Sequence, residues 1–371
     1  MKFVRMENLK TGMRLARPIY SKSGVLLFER DSQLSSSAIE SVKNFGLLGI
    51  YILEPAEPLP PMSEEDKEFE RFQTMMVASI QDELDRILQT KHTKNILNIA
   101  TQIIRNYGHI DNKINFYQNL RSRDDFVSRH ALNVAILCVL ISHVLNIPRD
   151  EQQRIVFAAL VHDIGRIKSK NEAIFDNNAE SEVKSALYKE TVSAYDLIEE
   201  VFATDGPQIK RICSQAMRVQ MDRQEGREET LSLQKMVIGA KILLVANAYD
   251  EKTAMNLSGE SESEVKAIKE FIDNPQVYDP EVVKALISSI NILFPGVSVE
   301  LSTGEKALVI TENVFNILQP TVLCFKDNSI LDMSLKSNSD IYVVDIMKTL
   351  DNRYIMDTDK LKNLTGGSNN A

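Results

Sequence analysis

The sequence predicts a mainly α protein: a helical domain carrying a small α+β module on its N-terminal side and a β-rich extension on its C-terminal side. Three observations predict it. Between residues 63 and 293 apolar side chains recur at three- and four-residue spacing, the period of helices that bury one face. Four of the 11 prolines fall at positions 55, 58, 60 and 61, a run that favours an extended, stiff conformer and marks a linker. After Pro295 the texture changes to β-branched and aromatic runs separated by turn residues.

Residues 1–53 make the first module. Short strands are predicted over 13–20 and 24–28, joined at Ser21-Lys22-Ser23-Gly24, followed by a helix over 36–45 and a last strand over 49–53. Residues 54–62 are the linker. The helical domain, 63–293, opens on Ser63-Glu64-Glu65-Asp66, a capping signal, and places Phe72, Met75, Met76, Ile80, Leu84 and Ile87 at helical spacing. The Met75-Met76 pair reads as filler for an irregular core. Further helices are predicted over 93–107, 130–145, 149–162, 180–202, 208–221, 233–250, 262–273 and 280–290. In the extension, 294–350, strands are predicted over 297–301, 306–311, 321–325 and 341–344, closing as a small barrel or a curled sheet. Residues 351–371 form a tail, predicted disordered over 365–371.

With 43% hydrophobic and 26% charged residues, the 371-residue chain has the composition of an ordinary globular protein with more than one domain. Lys plus Arg total 43 against 52 Asp plus Glu, a net charge of -9, and no basic stripe is present. Binding to a nucleic-acid polymer or an anionic membrane is therefore not expected. Cys138, Cys213 and Cys324 stand far apart among apolar neighbours, the pattern of buried reduced thiols. The N-terminal residues contain no apolar leader, and the apolar stretch 131–145, interrupted by Asn133 and His143, is too short to span a bilayer. It reads as a core helix, and the expected compartment is the cytoplasm.

All five histidines lie at or before position 162. Residues 149–161 have helical period and Gly165 stands where the helix stops, which places His162 and Asp163 in its last turn. Adjacent residues on a regular helix point about 100° apart, but where the chain leaves the helix both can turn toward one ion. An imidazole nitrogen and a carboxylate oxygen suit manganese, iron or zinc, and His130, heading the apolar helix, could supply a third ligand. A lone His-Asp pair is as often a satisfied core pair. The Ile164-Gly165 that follows at a helix end, and a histidine at the head of a buried helix, weigh against that reading. His92, His109 and His143 show no ligand spacing and read as surface or packing residues.

The segments His130-Ala131-Leu132-Asn133-Val134-Ala135, Ala158-Ala159-Leu160-Val161-His162-Asp163-Ile164-Gly165-Arg166, Val245-Ala246-Asn247-Ala248-Tyr249-Asp250 and Tyr278-Asp279-Pro280-Glu281-Val282-Val283 resemble successive landmarks of the HD-GYP family. Its members are HD-superfamily hydrolases that cleave cyclic di-GMP. Residues 8–53 resemble a module often fused to such domains, and 297–325 a β extension that follows some of them. The resemblance implies a helical HD-type domain, with His130, His162 and Asp163 as metal ligands and Arg166 where the family usually has a phosphate-binding lysine. It aligns Glu190 with a family histidine and Asn247 with the aspartate that closes the metal site. Asp250, one turn on, could substitute for that aspartate.

The departures are as informative. The family's paired histidines and its Gly-Tyr-Pro motif should fall near 214–226; neither is present, and no histidine follows His162. A two-metal centre clamps a bridging hydroxide and the phosphate between its cations, each worth several kcal/mol to the transition state, and here a second ion has little to hold it. A divalent manganese or iron ion is expected to be held weakly or not at all. Two readings stay open. One is a degenerate HD-GYP-like signalling protein, inactive or weak towards cyclic di-GMP, that senses this or a related nucleotide or docks a protein partner or second copy of the chain. The other is a metal-dependent phosphohydrolase with a reduced site, Asp163 and Arg166 carrying the chemistry and His130, His162, Asp163 and one of Glu190, Asn247 or Asp250 the metal.

Overall fold

In the N-terminal module three strands make one sheet: β1 (Lys2–Arg5) and β2 (Arg14–Leu15) flank β5 (Gly49–Leu53), both antiparallel to it. A computed structural model describes residues 2–53, 63–118, 120–167, 181–227, 231–254 and 261–347; the expected linker and tail lie outside these. Between β2 and β5 the chain forms a hairpin of β3 (Ile19–Tyr20) and β4 (Leu26–Phe28) and the helix α1 (Ser36–Lys43), whose Ser35 hydroxyl accepts the Ala38 N–H. Leu15, Ile19, Leu34, Ile39, Val42, Ile50 and Ile52 form the core of this module.

The strand expected over 13–20 is interrupted at Ala16, Arg17 and Pro18. Pro18 has no N–H to give a ladder, and Arg17 turns inward to pair with Glu70 and the Gln118 carbonyl, its guanidinium 5.1 Å from the Tyr51 ring centre and 5.0 Å from that of Tyr117. β1 was not expected, because a four-residue segment with charges at both ends carries no legible alternation.

The helical domain comprises α2 (Glu64–Thr90), α3 (Ile96–Tyr107), α4 (Phe126–Val144), α5 (Arg149–Val161), α6 (Ser181–Ser193), α7 (Tyr195–Val201), α8 (Gly206–Gln224), α9 (Ile238–Thr253), α10 (Glu264–Asp273) and α11 (Pro280–Ser289). The capping box at Ser63 is formed: its hydroxyl accepts the Asp66 N–H, and the Asp66 carboxylate accepts the Ser63 N–H. The helix expected over 180–202 breaks into α6 and α7 at Ala194, where a three-residue turn bond to Thr191 interrupts the ladder.

α4 is the hub, packed against α2, α3, α5, α9 and α11, with every residue from Ser128 to Ser142 buried. It starts at Phe126, so His130 lies one turn inside the helix and not at its head. At 19 residues and mean hydropathy 1.5, α4 is long and apolar enough to cross a membrane, so length does not exclude a span as the sequence suggested. Its surroundings explain its composition instead, since 83% of that apolar window is buried among neighbouring helices.

The extension is a five-stranded antiparallel sheet of β6 (Ser298–Leu301), β7 (Lys306–Thr311), β8 (Thr321–Cys324), β9 (Ile330–Asp332) and β10 (Val343–Ile346), in the order β10-β6-β7-β8-β9. Val299, Leu301, Ala307, Val309, Val322, Cys324 and Val343 face the main core, while Leu308, Leu323 and Phe325 make a small cluster of their own. Among the described residues β10 and β9 are the edges, so the sheet they form is open and not a barrel. The three cysteines are buried free thiols.

Candidate metal centre

The end of α5, the second turn of α4 and the middle of α9 converge on one point. His162 caps α5, and Asp163 follows it into a short 3-10 turn at Ile164–Arg166. Gly165 in that turn lies against α6 so closely that a Cβ would stand 2.2 Å from the Glu190 carbonyl oxygen. A side chain there would push the His162–Asp163 corner away from its support.

His130 Nε2 lies 3.1 Å from His162 Nε2, and His162 Nε2 lies 3.0 Å from Asn247 Oδ1. Asp163 Oδ2 is 3.8 Å from His130 Nε2 and 3.9 Å from His162 Nε2. Exposure of the four residues runs from 0% for His162 to 4% for His130 and Asp163.

The tautomers follow from what the other ring nitrogens meet. His130 Nδ1 is 2.6 Å from Asp250 Oδ2, and His162 Nδ1 is 2.8 Å from the Ala159 carbonyl; both partners can only accept, so both Nδ1 atoms carry hydrogen. With neutral rings, the two Nε2 lone pairs face each other and an Asp163 oxygen, and Asn247 Oδ1 faces the His162 lone pair, with no hydrogen between these atoms. A divalent cation satisfies such an arrangement. Metal–ligand bonds of about 2.0–2.2 Å put neighbouring ligand atoms about 3–4 Å apart, the spacing found here. Asp163 Oδ1, buried and without a hydrogen-bond partner, is a further mark of a site shaped for a cation. The group His130, His162 and Asp163 could therefore hold a metal ion.

Electrostatics separates the two imidazoles. Burial pulls His130 down, but the hydrogen bond to Asp250 and the charges of Asp250 and Asp163 raise it above its ordinary value. Burial dominates at His162, which stays below its own. Burial pushes Asp163 up, yet Arg166 and the two histidines hold it below the usual carboxylate range. A proton on His130 thus competes with a cation for this position.

Not every residue suggested by the sequence joins the group. Asp250 lies on the far side of His130. One of its oxygens is shared by His130 Nδ1 and Arg121 Nη2, at 2.6 and 2.5 Å, and the other accepts from Asn133 Nδ2 at 2.8 Å. It orients the ligand and is not placed as one. Glu190 stands outside the group, with Oε2 buried and unpartnered on α6 beneath Gly165. Arg166 holds Asp163 Oδ2 at 3.0 Å and the Thr191 hydroxyl at 2.9 Å, its side chain 20% exposed. Of the other histidines, His143 pairs with Asp111 at 2.9 Å and His92 and His109 are exposed.

Several residues that build the site were not read from the sequence: Arg121, Asn133, Gln118, Gln73, Gln220 and Glu251. Gln73 donates to Asn133 Oδ1 at 2.9 Å, and Asn133 donates to Gln118 and Asp250 at 2.8 Å each. A signal existed for Asn133, a polar residue on the same face as His130 and the one polar side chain in the run 131–141. Arg121 lies in the irregular segment before α4 and carried none.

Residues 127–251, from the start of α4 to the end of α9, match the family model of the HD domain. The matched segment contains His130, His162, Asp163 and Asn247. No curated protein matches the sequence. Among solved structures, Bd1817, a HDG"Y"P protein from Bdellovibrio bacteriovorus, aligns over 77% of this chain and 97% of its own, with 16% sequence identity and a TM-score of 0.40.

Proposed function

We propose that the protein is an HD-GYP-like signalling protein whose reduced centre takes one divalent cation, manganese or iron, and which senses cyclic di-GMP or a related nucleotide, or docks a protein partner, without useful hydrolysis. The observation that supports this reading is the convergence of His130, His162, Asp163 and Asn247 on a single cation position, in a sequence with no histidine after His162 to build a second.

His130, His162 and Asp163 would hold the ion, with Asn247 Oδ1 as a neutral fourth ligand. When bound, the ion supplies Lewis-acid polarisation of a phosphoryl oxygen. Arg166 is fixed at the rim by Asp163 and Thr191, where its planar fork suits a phosphate. Asp250 and Arg121 keep the His130 ring in register. A single ion leaves either the attacking or the leaving oxygen of a phosphodiester without its counter-charge, which removes several kcal/mol of transition-state stabilisation.

The protein, loaded with manganese or with ferrous iron under anaerobic conditions, is expected to show no cyclic di-GMP turnover useful to a cell. Turnover of about one per second or more, abolished by Asp163→Ala, would establish the second reading, a phosphohydrolase at the same site.

A further inference from the structure

We infer that Gln220 and Glu251 form an orienting relay that turns the Asn247 amide so that its oxygen, and not its nitrogen, faces the cation position. The inference rests on the reading that the four-residue group takes a cation.

A carboxylate offers an oxygen whichever way it turns, whereas the two ends of an asparagine amide have the same shape and opposite chemistry. Only the oxygen can serve a cation, and the amide hydrogens would repel one. With Asn at position 247, the site works only if something else decides which end points inward.

The neighbours supply that decision. Asn247 Nδ2 donates to Gln220 Oε1 at 2.7 Å, and this leaves Oδ1 at 3.0 Å from His162 Nε2. Gln220 is itself an amide with the same ambiguity, and its Nε2 donates to the Glu251 carboxylate. Glu251 sits four residues after Asn247, one turn along α9, so the relay leaves α9, crosses to α8 and returns.

In its ionised form the Glu251 carboxylate accepts and does not donate, which settles the sense of both amides; burial raises Glu251, and the charges of Arg166 and His130 oppose that rise. Reversing Gln220 would set its oxygen against the oxygens of Glu251 and present its nitrogen to the Asn247 nitrogen. Reversing Asn247 alone would set two oxygens together at Gln220 and aim N–H groups at the cation position. Either reversal replaces hydrogen bonds by like-against-like contacts between the packed helices α8 and α9.

The test is a double-substitution cycle read by Mn²⁺ affinity, measured by calorimetry or by the electron paramagnetic resonance signal of free Mn²⁺. In the wild-type background, Gln220→Met removes both ends of the relay and is expected to weaken Mn²⁺ binding by about tenfold or more, the usual cost of losing a partner that orients a ligand. In an Asn247→Asp background the same Gln220→Met is expected to cost nothing, because a carboxylate needs no orienting. Glu251→Gln removes the acceptor-only end and is read by the same difference between backgrounds, which cancels its charge effect and serves if Gln220→Met does not fold. An equal loss in both backgrounds, or no loss in the wild type, would overturn the relay. Binding by Asn247→Asp but not by the wild-type chain would overturn it too while leaving the cation site standing. Binding by neither would remove the site itself, and the relay with it.

Discussion

Replacing Arg121 with methionine is expected to destabilise the protein by about 3–5 kcal/mol, the cost of stranding one member of a buried ion pair. Arg121 is 1% exposed and Asp250 0%, with Nη2 2.5 Å from Asp250 Oδ2 and the guanidinium 4.9 Å from the Phe126 ring centre. Its backbone carbonyl also accepts the Leu48 N–H of the N-terminal module at 2.9 Å, so the residue sits at the seam between the two units. Without it, Asp250 would keep His130 and Asn133 but lose its full positive charge. Combining Arg121→Met with Asp250→Asn should recover most of the loss, since no unpaired charge remains. Chemical denaturation measures both, and a loss below about 1 kcal/mol for the single substitution, the range of an exposed pair, would show that the pair contributes little.

The same pair sets an acid limit. Burial works against the Asp250 carboxylate, but Arg121 and His130 hold it well below its ordinary value of 3.8. A group depressed in this way contributes stability that is complete above the ordinary value and drains away as the pH falls towards the folded one. Wild-type stability is therefore expected to fall below about pH 4 more steeply than that of Arg121→Met, in which the carboxylate is less depressed.

The second large effect is on metal. Asp163→Ala and His162→Ala are each expected to reduce Mn²⁺ binding below detection, beyond the roughly tenfold to hundredfold cost of losing an outer partner. Far-UV circular dichroism should change little in either variant. His162 is the cap of α5 and Asp163 lies past it, so neither substitution breaks the helix interior. Unfolding of His162→Ala, in a protein whose stability does not respond to Mn²⁺, would mean that the pair is structural.

The helical part of this fold was legible wherever periodicity was long. The Ser63 cap, α2 and the α5 stop before Gly165 were read directly, because each rests on local backbone chemistry. Strands β1 and β9 were not, being short and bounded by exposed or charged residues whose pairing is decided by distant chain. At the site, His130, His162 and Asp163 stood out because their residue types carry metal chemistry, whereas Asn247 was marked only by the family resemblance. The position of Asp250 was not, because helical spacing places it near Asn247 on α9 without saying that it faces the rear of His130. Arg121, Gln220 and Glu251 act through contacts from an irregular segment, another helix and a later turn of α9, and no local pattern records such contacts.

The number of cations that the centre takes tests the single-ion site most directly. Protein stripped of metal, reloaded anaerobically with Mn²⁺ and freed of excess should be analysed for manganese per chain alongside Asp163→Ala. One ion per chain, absent from the variant, is the result that one group of His130, His162 and Asp163, with Asn247 Oδ1 beside His162, requires. Two ions per chain in the wild type, or none under any loading condition, would contradict it.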